Sequence, residues 1–208
     1  MKILAFDTSA PHCAIAVLHG EVCLVDVQHP MKKGQAENLP PLVEDALKTA
    51  GLGLSDLDLI AVGTGPGNFT GIRISVAYAR GLSLGLGCPA IGVTGLEALA
   101  ASTTSPVLGA IAARRGSCYS QTFDAGHPQS PPQMQDIETL DASGLLLSYD
   151  TTQISSATQP TTSLAVNLAK AALRKFAADP RSISRPKPFY MRPADAAPPR
   201  DPAPVVFD

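Results

Sequence analysis

The chain has little charge and no paired cysteine motif. Charged residues make up 16% of its 208 residues and the formal net charge is −2, which argues against strong nonspecific binding to nucleic acid. Its four cysteines are isolated, since no C-x-x-C pair is formed by Cys13, Cys23, Cys88 and Cys118. We therefore expect them to be small buried hydrophobic residues in a reducing cytosol.

The sequence has no long apolar run, and we expect no leader sequence. No apolar segment approaches the roughly 20 residues of a membrane-spanning helix, and Met1 is followed directly by a strand pattern, Lys2 to Phe6. A secretory signal would instead place a basic region and an apolar region there. The sequence thus predicts a cytoplasmic protein that makes no membrane contact.

The sequence lacks the motifs of a metallopeptidase and of a serine hydrolase. A metal-dependent peptidase of this kind needs two histidines one helical turn apart, and no such pair is formed by His12, His19, His29 and His127. No Gly-x-Ser-x-Gly elbow occurs either. We therefore predict no metal site, assign no catalytic residue, and expect the histidines to be exposed or hydrogen-bonded.

What the chain does contain is a glycine-rich segment, Gly63 to Arg73, between an apolar strand and a long helix. Gly65 and Gly67 permit positive φ or a close backbone approach, and Asn68 can cap the helix. Unpaired N–H groups at a helix start favour an anion, which makes these three residues candidates for phosphate binding. The spacing, however, matches neither the P-loop nor the dinucleotide fingerprint. The alternative is a tight turn that docks the helix closely on a sheet.

The order of elements predicts an α/β fold with a mixed sheet in the first half. We expect strands at Ile3 to Phe6, Cys13 to Leu18, Val22 to Val27, Leu59 to Val62 and Ala90 to Val93. Helices are expected at Leu39 to Ala50, with Pro40 and Pro41 in the first turn or at a kink, at Thr70 to Leu86 and at Leu96 to Ala101. The order β-β-β-α-β-α-β-α predicts a first subdomain over residues 1–102.

The second half repeats these signals more weakly. Strands are expected at 107–112, 118–123 and 145–148, a Pro/Gln-rich loop at 127–135 and a helix at 163–178. We therefore predict a second subdomain over residues 103–192 and a proline-rich tail over residues 193–208.

Two surfaces are candidates for contact with other molecules. Small residues recur every four positions on two faces of the Thr70 to Leu86 helix, so one face can pack on the sheet while the other accepts a partner helix. Together with the apolar stripe of the preceding helix, this predicts a partner interface at Leu39, Leu42, Ser75, Ala79 and Ser83. Near the other end of the chain, a basic helix face predicted at Lys170, Arg174 and Lys175 is a candidate for RNA contact, with a solvated helix face as the alternative.

Several segments resemble the threonylcarbamoyladenosine biosynthesis protein family TsaB. They are Asp7-Thr8-Ser9, Gln35 to Pro40, Gly63 to Arg73, Gly92 to Leu99, Ala113 to Gly116 with Tyr119, and Tyr190-Met191-Arg192. The resemblance implies an actin-like ATPase fold, also described as ribonuclease H-like, with two halves that each contain a mixed five-stranded sheet and with a reduced second half. It also implies a role in forming threonylcarbamoyladenosine next to the tRNA anticodon.

The resemblance further implies a set of partners. The chain would be the noncatalytic partner of a TsaD-like paralogue, in a heterodimer that meets a TsaE-like ATPase in a larger assembly and contacts tRNA through the complex. Alone, it would form a homodimer through the same helices. The resemblance implies no cofactor of its own, although ATP would lie at or near the partner interface.

Two positions depart from the family pattern, which has acidic residues where this chain has Ala112 and Ser117. An alternative function is an ATPase or phosphotransferase of the same fold, with Asp7, Thr8 and Ser9 beside the glycine turn, because an acid at that strand end organises metal and water around a phosphate. Asp7 could equally be a turn acid that binds the backbone of Ser9 or Ala10. A metal-dependent peptidase is the least favoured function because the histidine pair is absent.

Overall fold

The computed structural model describes residues 1–191. Arg192 and the predicted proline-rich tail over residues 193–208 lie outside the described residues. Within the described part of the chain, no helix is both long and apolar enough to span a bilayer.

The first half forms a five-stranded mixed sheet. Its order is β3-β2-β1-β4-β5, with β1 antiparallel to β2 and parallel to β4. The strands are β1 Lys2–Asp7, β2 His12–His19, β3 Val22–Pro30, β4 Leu59–Gly63 and β5 Ala90–Val93. Strand β1 lies at the centre and is buried from Ile3 onward because helices cover both faces of the sheet. The predicted strands of the first half are confirmed.

Helices α1, Gln35–Thr49, and α2, Phe69–Leu86, pack on one face of this sheet. Alternate β1 residues such as Leu4 and Phe6 point towards them. Helix α2 begins one residue before the predicted Thr70 and ends at the predicted Leu86. The Asn68 side chain caps its start by accepting a hydrogen bond from the Gly71 amide at 3.0 Å, and Gly87 adopts φ 66° at its end.

Helix α1 begins four residues earlier than predicted. Pro40 and Pro41 therefore lie in its second turn and not in its first. Each proline removes an amide donor, from the carbonyl of Ala36 and of Glu37 respectively. Both of these residues are exposed, so water can satisfy the two carbonyl groups and the helix continues through the prolines.

The opposite face of the first sheet is covered by α4, Leu164–Ala178. Its buried residues, among them Ala165, Leu168 and Ala172, pack against the other alternate set of β1, Ile3 and Ala5. The predicted subdomain 103–192 includes this helix, which nevertheless belongs by packing to the sheet of the first half. The exact boundaries of the two subdomains stay a prediction.

The second half forms a smaller five-stranded sheet, β10-β6-β7-β8, with β9 also paired to β7. The strands are β6 Val107–Ala112, β7 Ser117–Asp124, β8 His127–Pro128, β9 Gln133–Asp136 and β10 Leu146–Leu147. The predicted loop at 127–135 is therefore wrong, since two short antiparallel strands form there. Helix α3, Gly95–Ala100, packs on this sheet through Leu96 and Leu99 and on α4 through Ala98.

Candidate functional site

An open cleft lies between the two halves. The first half contributes the loops after β1 and β4 and the loop before α1, and the second half contributes the β6–β7 turn and the segments around Tyr149 and Thr162. Its volume of about 1940 Å³ exceeds the several hundred Å³ of an ordinary small-molecule pocket. Of the predicted phosphate-binding residues, Ser9, Gly67 and Asn68 line this cleft, whereas Asp7, Thr8 and Gly65 do not.

Asp7 is buried at the end of β1, and its carboxylate is used within the protein. One oxygen, Oδ1, accepts hydrogen bonds from the Ser9 amide at 2.8 Å, from the Ser9 hydroxyl at 2.8 Å and pairs with His12 Nε2 at 3.1 Å. In the structure, Asp7 is thus a turn acid that accepts a hydrogen bond from the backbone amide of Ser9. This geometry gives the carboxylate a local structural task.

The loop after β1 is fastened to the glycine turn. The Asn68 amide donates to the Ser9 carbonyl at 2.7 Å, and the Thr8 hydroxyl donates to the Gly71 carbonyl at 2.7 Å. A Cβ atom on Gly67 or Gly71 would overlap the backbone carbonyl oxygen of Ser9 or Thr8. The glycines therefore permit a close approach between two backbone segments, and the Asn68 amide is already bonded within the protein.

The sequence did not indicate that His12 lines the cleft, nor that a second polar network lies at the cleft wall. His12 is mostly buried, lines the cleft and bonds to Asp7, in agreement with the expected hydrogen-bonded histidine. Nearby, Asn167 donates through Nδ2 to the Tyr149 hydroxyl at 3.0 Å, and the Thr162 hydroxyl donates to Asn167 Oδ1 at 2.6 Å. Burial raises the pKa of Tyr149, so this hydroxyl stays protonated. Only the fold brings these residues together, from three separate segments.

The two family departures lie beside the β6–β7 turn. Ala112 lines the cleft, and Ser117 begins β7. Between them, Arg114 and Arg115 line the same cleft at the tip of the turn, where Arg115 adopts φ 61°. Without the two acidic residues of the family pattern, the turn presents these arginines with no adjacent carboxylate in the sequence.

Three residues of the predicted partner interface are buried inside the fold and cannot contact a partner. Ser75 and Ala79 are fully buried against the first sheet, and Ser75 donates to the Gly63 carbonyl at 3.2 Å. Leu39 is also fully buried, whereas Leu42 and Ser83 are partly buried. A charged side chain at position 79 would therefore be buried, and we expect it to destabilise the fold.

The opposite side of α2 is exposed instead. We call the residues Ala77, Gly81, Leu84 and Gly85 the outer face of α2, and all four are exposed. Leu84 is 83% exposed, and a Cβ atom on Gly81 or Gly85 would meet no atom within 4 Å. The second small-residue row noted in the sequence is thus the row that another helix could approach.

The predicted basic face of α4 is divided between two locations. Lys175 forms an ion pair with Glu97 at 2.7 Å and donates to the Gly92 carbonyl at 3.1 Å, so it joins α4 to α3 and β5. Lys170 and Arg174 line a separate groove with Glu21. The prediction that the three residues share one face is therefore wrong.

The cysteines follow the sequence expectation except at one position. Cys13, Cys88 and Cys118 are buried, but Cys23 is exposed on the edge strand β3. Within residues 1–191, no group of three or more His, Cys, Asp or Glu side chains is arranged to hold a metal ion.

A family model and curated relatives match this chain. The model described as TsaD, tRNA N6-adenosine threonylcarbamoyltransferase, matches residues 29–184. The tRNA threonylcarbamoyladenosine biosynthesis protein TsaB of Escherichia coli strain K12 is 37% identical over an alignment of length 131 that covers 57% of this chain and 53% of that protein. The aligned region thus spans about half the length of this relative.

Two solved structures share the architecture. A Pseudomonas aeruginosa protein described as similar to peptidase YeaZ superposes with a TM-score of 0.74 and 27% identity, over 92% of this chain and 99% of that one. The polyphosphate/ATP-glucomannokinase of an Arthrobacter strain superposes with a TM-score of 0.51 and 8% identity, over 85% and 99% of the two chains. The second likeness shows the fold alone. With the two five-stranded sheets, these findings confirm the predicted actin-like fold.

Proposed function

Because this chain belongs to the TsaD family as its model defines it, and within it to the TsaB group, we propose that it takes part in forming threonylcarbamoyladenosine in tRNA. Its role is that of a noncatalytic partner of a TsaD-like paralogue, which carries out the transfer in the cytoplasm. The aligned region covers about half the length of the curated relative. The proposal therefore extends a partial sequence similarity to the function of the whole protein.

The observation that carries the noncatalytic role is the closed contact between the loop after β1 and the glycine turn. Asp7 Oδ1 already has three hydrogen-bonding partners, and the Asn68 amide is bonded to the Ser9 carbonyl. A phosphate held here would have to displace these bonds, at a cost of about 1 kcal/mol or more for each. This geometry favours a scaffold over an ATPase that uses Asp7, Thr8 and Ser9.

The outer face of α2 is the surface that we assign to the partner. An apolar side chain that is 83% exposed, Leu84, beside two exposed glycines leaves room for a helix to approach the backbone. The partly buried Leu42 of α1 packs at the edge of the same helical layer. We propose that this face binds the paralogue in a heterodimer, and a second copy of the chain when the paralogue is absent. A TsaE-like ATPase and ATP at or near the interface belong to the same proposal.

Depletion tests the pathway. Removing this protein from cells that still contain the paralogue is expected to abolish threonylcarbamoyladenosine in total tRNA, measured by nucleoside mass spectrometry. Restoring the protein is expected to restore the modified nucleoside. Normal levels of modification in the depleted cells would contradict the proposed function.

ATP turnover by the purified chain tests the noncatalytic role. We expect no turnover above that of an Asp7→Ala variant, because Oδ1 of the Asp7 carboxylate is already bonded to Ser9 and His12. Turnover that disappears in the Asp7→Ala variant would instead establish the ATPase or phosphotransferase alternative. Circular dichroism of the variant is needed as a control, since Asp7 is 2% exposed and also supports the loop.

A further inference from the structure

Two exposed aromatic rings lie stacked at the edge of the cleft. Phe69, the first residue of α2, and Tyr190 have ring centroids 4.9 Å apart and an interplanar angle of 27°. Each side chain is nevertheless 43% exposed. Aromatic rings usually contribute to stability by being buried, so a stacked pair that remains this accessible has surface available for another flat group.

An arginine belongs to the same cluster. The Arg73 guanidinium carbon lies 4.5 Å from the centroid of the Phe69 ring, one helical turn along α2. This contact holds a positive charge beside the stacked rings. A ligand for the cluster therefore combines a flat ring system with a negative charge.

The cleft beside the rings is predominantly basic. Lys32 and Lys33 lie on its first-half wall, and Arg114 and Arg115 lie on its second-half wall. The charged acidic residues that line it are Glu37 and Asp150 among the described residues. The Asp150 carboxylate is bonded locally to Thr152 and Gln153, so its acceptor oxygens are already occupied. The basic side chains thus extend from one wall of the cleft to the other.

We propose that the Phe69–Tyr190 pair is a stacking platform for a base of single-stranded RNA, whose phosphates contact the arginines of the β6–β7 turn. Single-stranded nucleic acid is bound by this combination of exposed aromatic rings and a positively charged groove. A free nucleotide fits less well, because the rings are open to solvent and the cations are spread over two walls. This inference rests on the proposed function, in which the assembly handles tRNA, and it moves the expected RNA contact from α4 to the cleft.

Fluorescence anisotropy with a labelled single-stranded RNA of about 12 nucleotides, which spans one stacking site and its flanking phosphates, tests the proposal on the purified full chain. We expect Tyr190→Ala to weaken binding by about fivefold or more, the effect of removing one stacked base. Tyr190→Phe keeps the ring and is expected to bind as the unaltered chain does. Arg115→Ala is expected to reduce the slope of log K against log salt by about 1.

Two further variants sharpen the test. Arg181→Ala removes one positive charge from an exposed position outside the cleft and is expected to leave both affinity and salt slope unchanged. The sequence contains no tryptophan, so a Tyr190→Trp variant gives a single indole signal, which a stacked base is expected to quench.

The outcomes separate this inference from the proposed function. Absence of RNA binding, equal binding by Tyr190→Ala, or ATP that quenches the Tyr190→Trp variant as strongly as RNA would each overturn the platform. The depletion experiment does not depend on this surface. Loss of the modified nucleoside in depleted cells without RNA binding would therefore reject the platform alone, whereas RNA binding with normal modification would reject the proposed function alone.

Discussion

Replacing Gly71 by alanine is expected to separate the loop after β1 from α2. The added methyl group would overlap the Thr8 carbonyl oxygen, which belongs to the backbone and cannot rotate away. The adjustment must therefore stretch or break the hydrogen bond from the Thr8 hydroxyl to Gly71 and the one from the Asn68 amide to Ser9, both 2.7 Å long.

The expected change in the free energy of unfolding has three contributions. Overpacking costs about 1–3 kcal/mol, and two weakened hydrogen bonds cost about 1 kcal/mol each. Alanine returns about 1 kcal/mol through its higher helix propensity. We therefore expect the free energy of unfolding to fall by about 2–4 kcal/mol, and the melting temperature by about 5–15 °C for a chain of this size.

Gly81→Ala is the matched control, because it makes the same substitution in the same helix. In the single chain a Cβ atom on Gly81 meets nothing within 4 Å, so at dilutions where the chain is monomeric only the propensity term remains and stability is expected to rise by about 0.5–1 kcal/mol. Thermal unfolding followed by circular dichroism measures both variants. Unchanged stability of Gly71→Ala, or an equal loss in Gly81→Ala, would refute the assignment of Gly71 to a close backbone contact.

Four other outcomes are expected. Leu84→Glu should prevent dimerisation in size-exclusion chromatography with an unchanged circular dichroism spectrum, because Leu84 is 83% exposed; retained association would exclude the outer face of α2. Lys175→Ala should lower the free energy of unfolding by about 0.5 kcal/mol, since the ion pair with Glu97 is partly solvated. It should leave RNA affinity unchanged, and weakened RNA binding would indicate that α4 contacts RNA. Burial raises the pKa of the Cys13 and Cys88 thiols to about 11 from 9.0, so the folded state retains their protons and stability should decrease as pH rises from about 9 to about 11. Thiol titration of the native protein at pH 8 should show one rapid reaction, which the Cys23→Ser variant lacks; several rapid reactions would contradict the burial of the other thiols.

The sequence was sufficient to predict most elements of the fold, because periodicity and end signals are local. Asn68 and Gly87 bound α2 where predicted, and short continuous apolar runs located the strands of the first sheet. The start of α1 was predicted too late because prolines such as Pro40 and Pro41 usually lie in the first turn of a helix. Here the helix begins earlier, since the carbonyl groups that lose their amide donors belong to exposed residues and can bind water.

The candidate site could be predicted only in part, since it depends on which side of an element faces which neighbour. The two small-residue rows of α2 are equivalent in the sequence. Contacts of Gly71 with Thr8 and of Ser75 with Gly63 fix the rotation of the helix, so the row that contains Ala79 is buried. The Phe69–Tyr190 stack joins residues more than a hundred positions apart, and no local signal indicates such a pair.

The position of α4 has a consequence for synthesis of the chain. The last strand of the first sheet ends at Val93, but the helix that covers its second face begins only at Leu164. At roughly 5–20 residues per second, translation of the intervening segment takes on the order of several seconds. During that interval the apolar side chains of Ile3, Ala5 and Leu59 have no helical cover from this chain. A nascent chain at that stage presents an apolar surface that a chaperone can bind until α4 covers it.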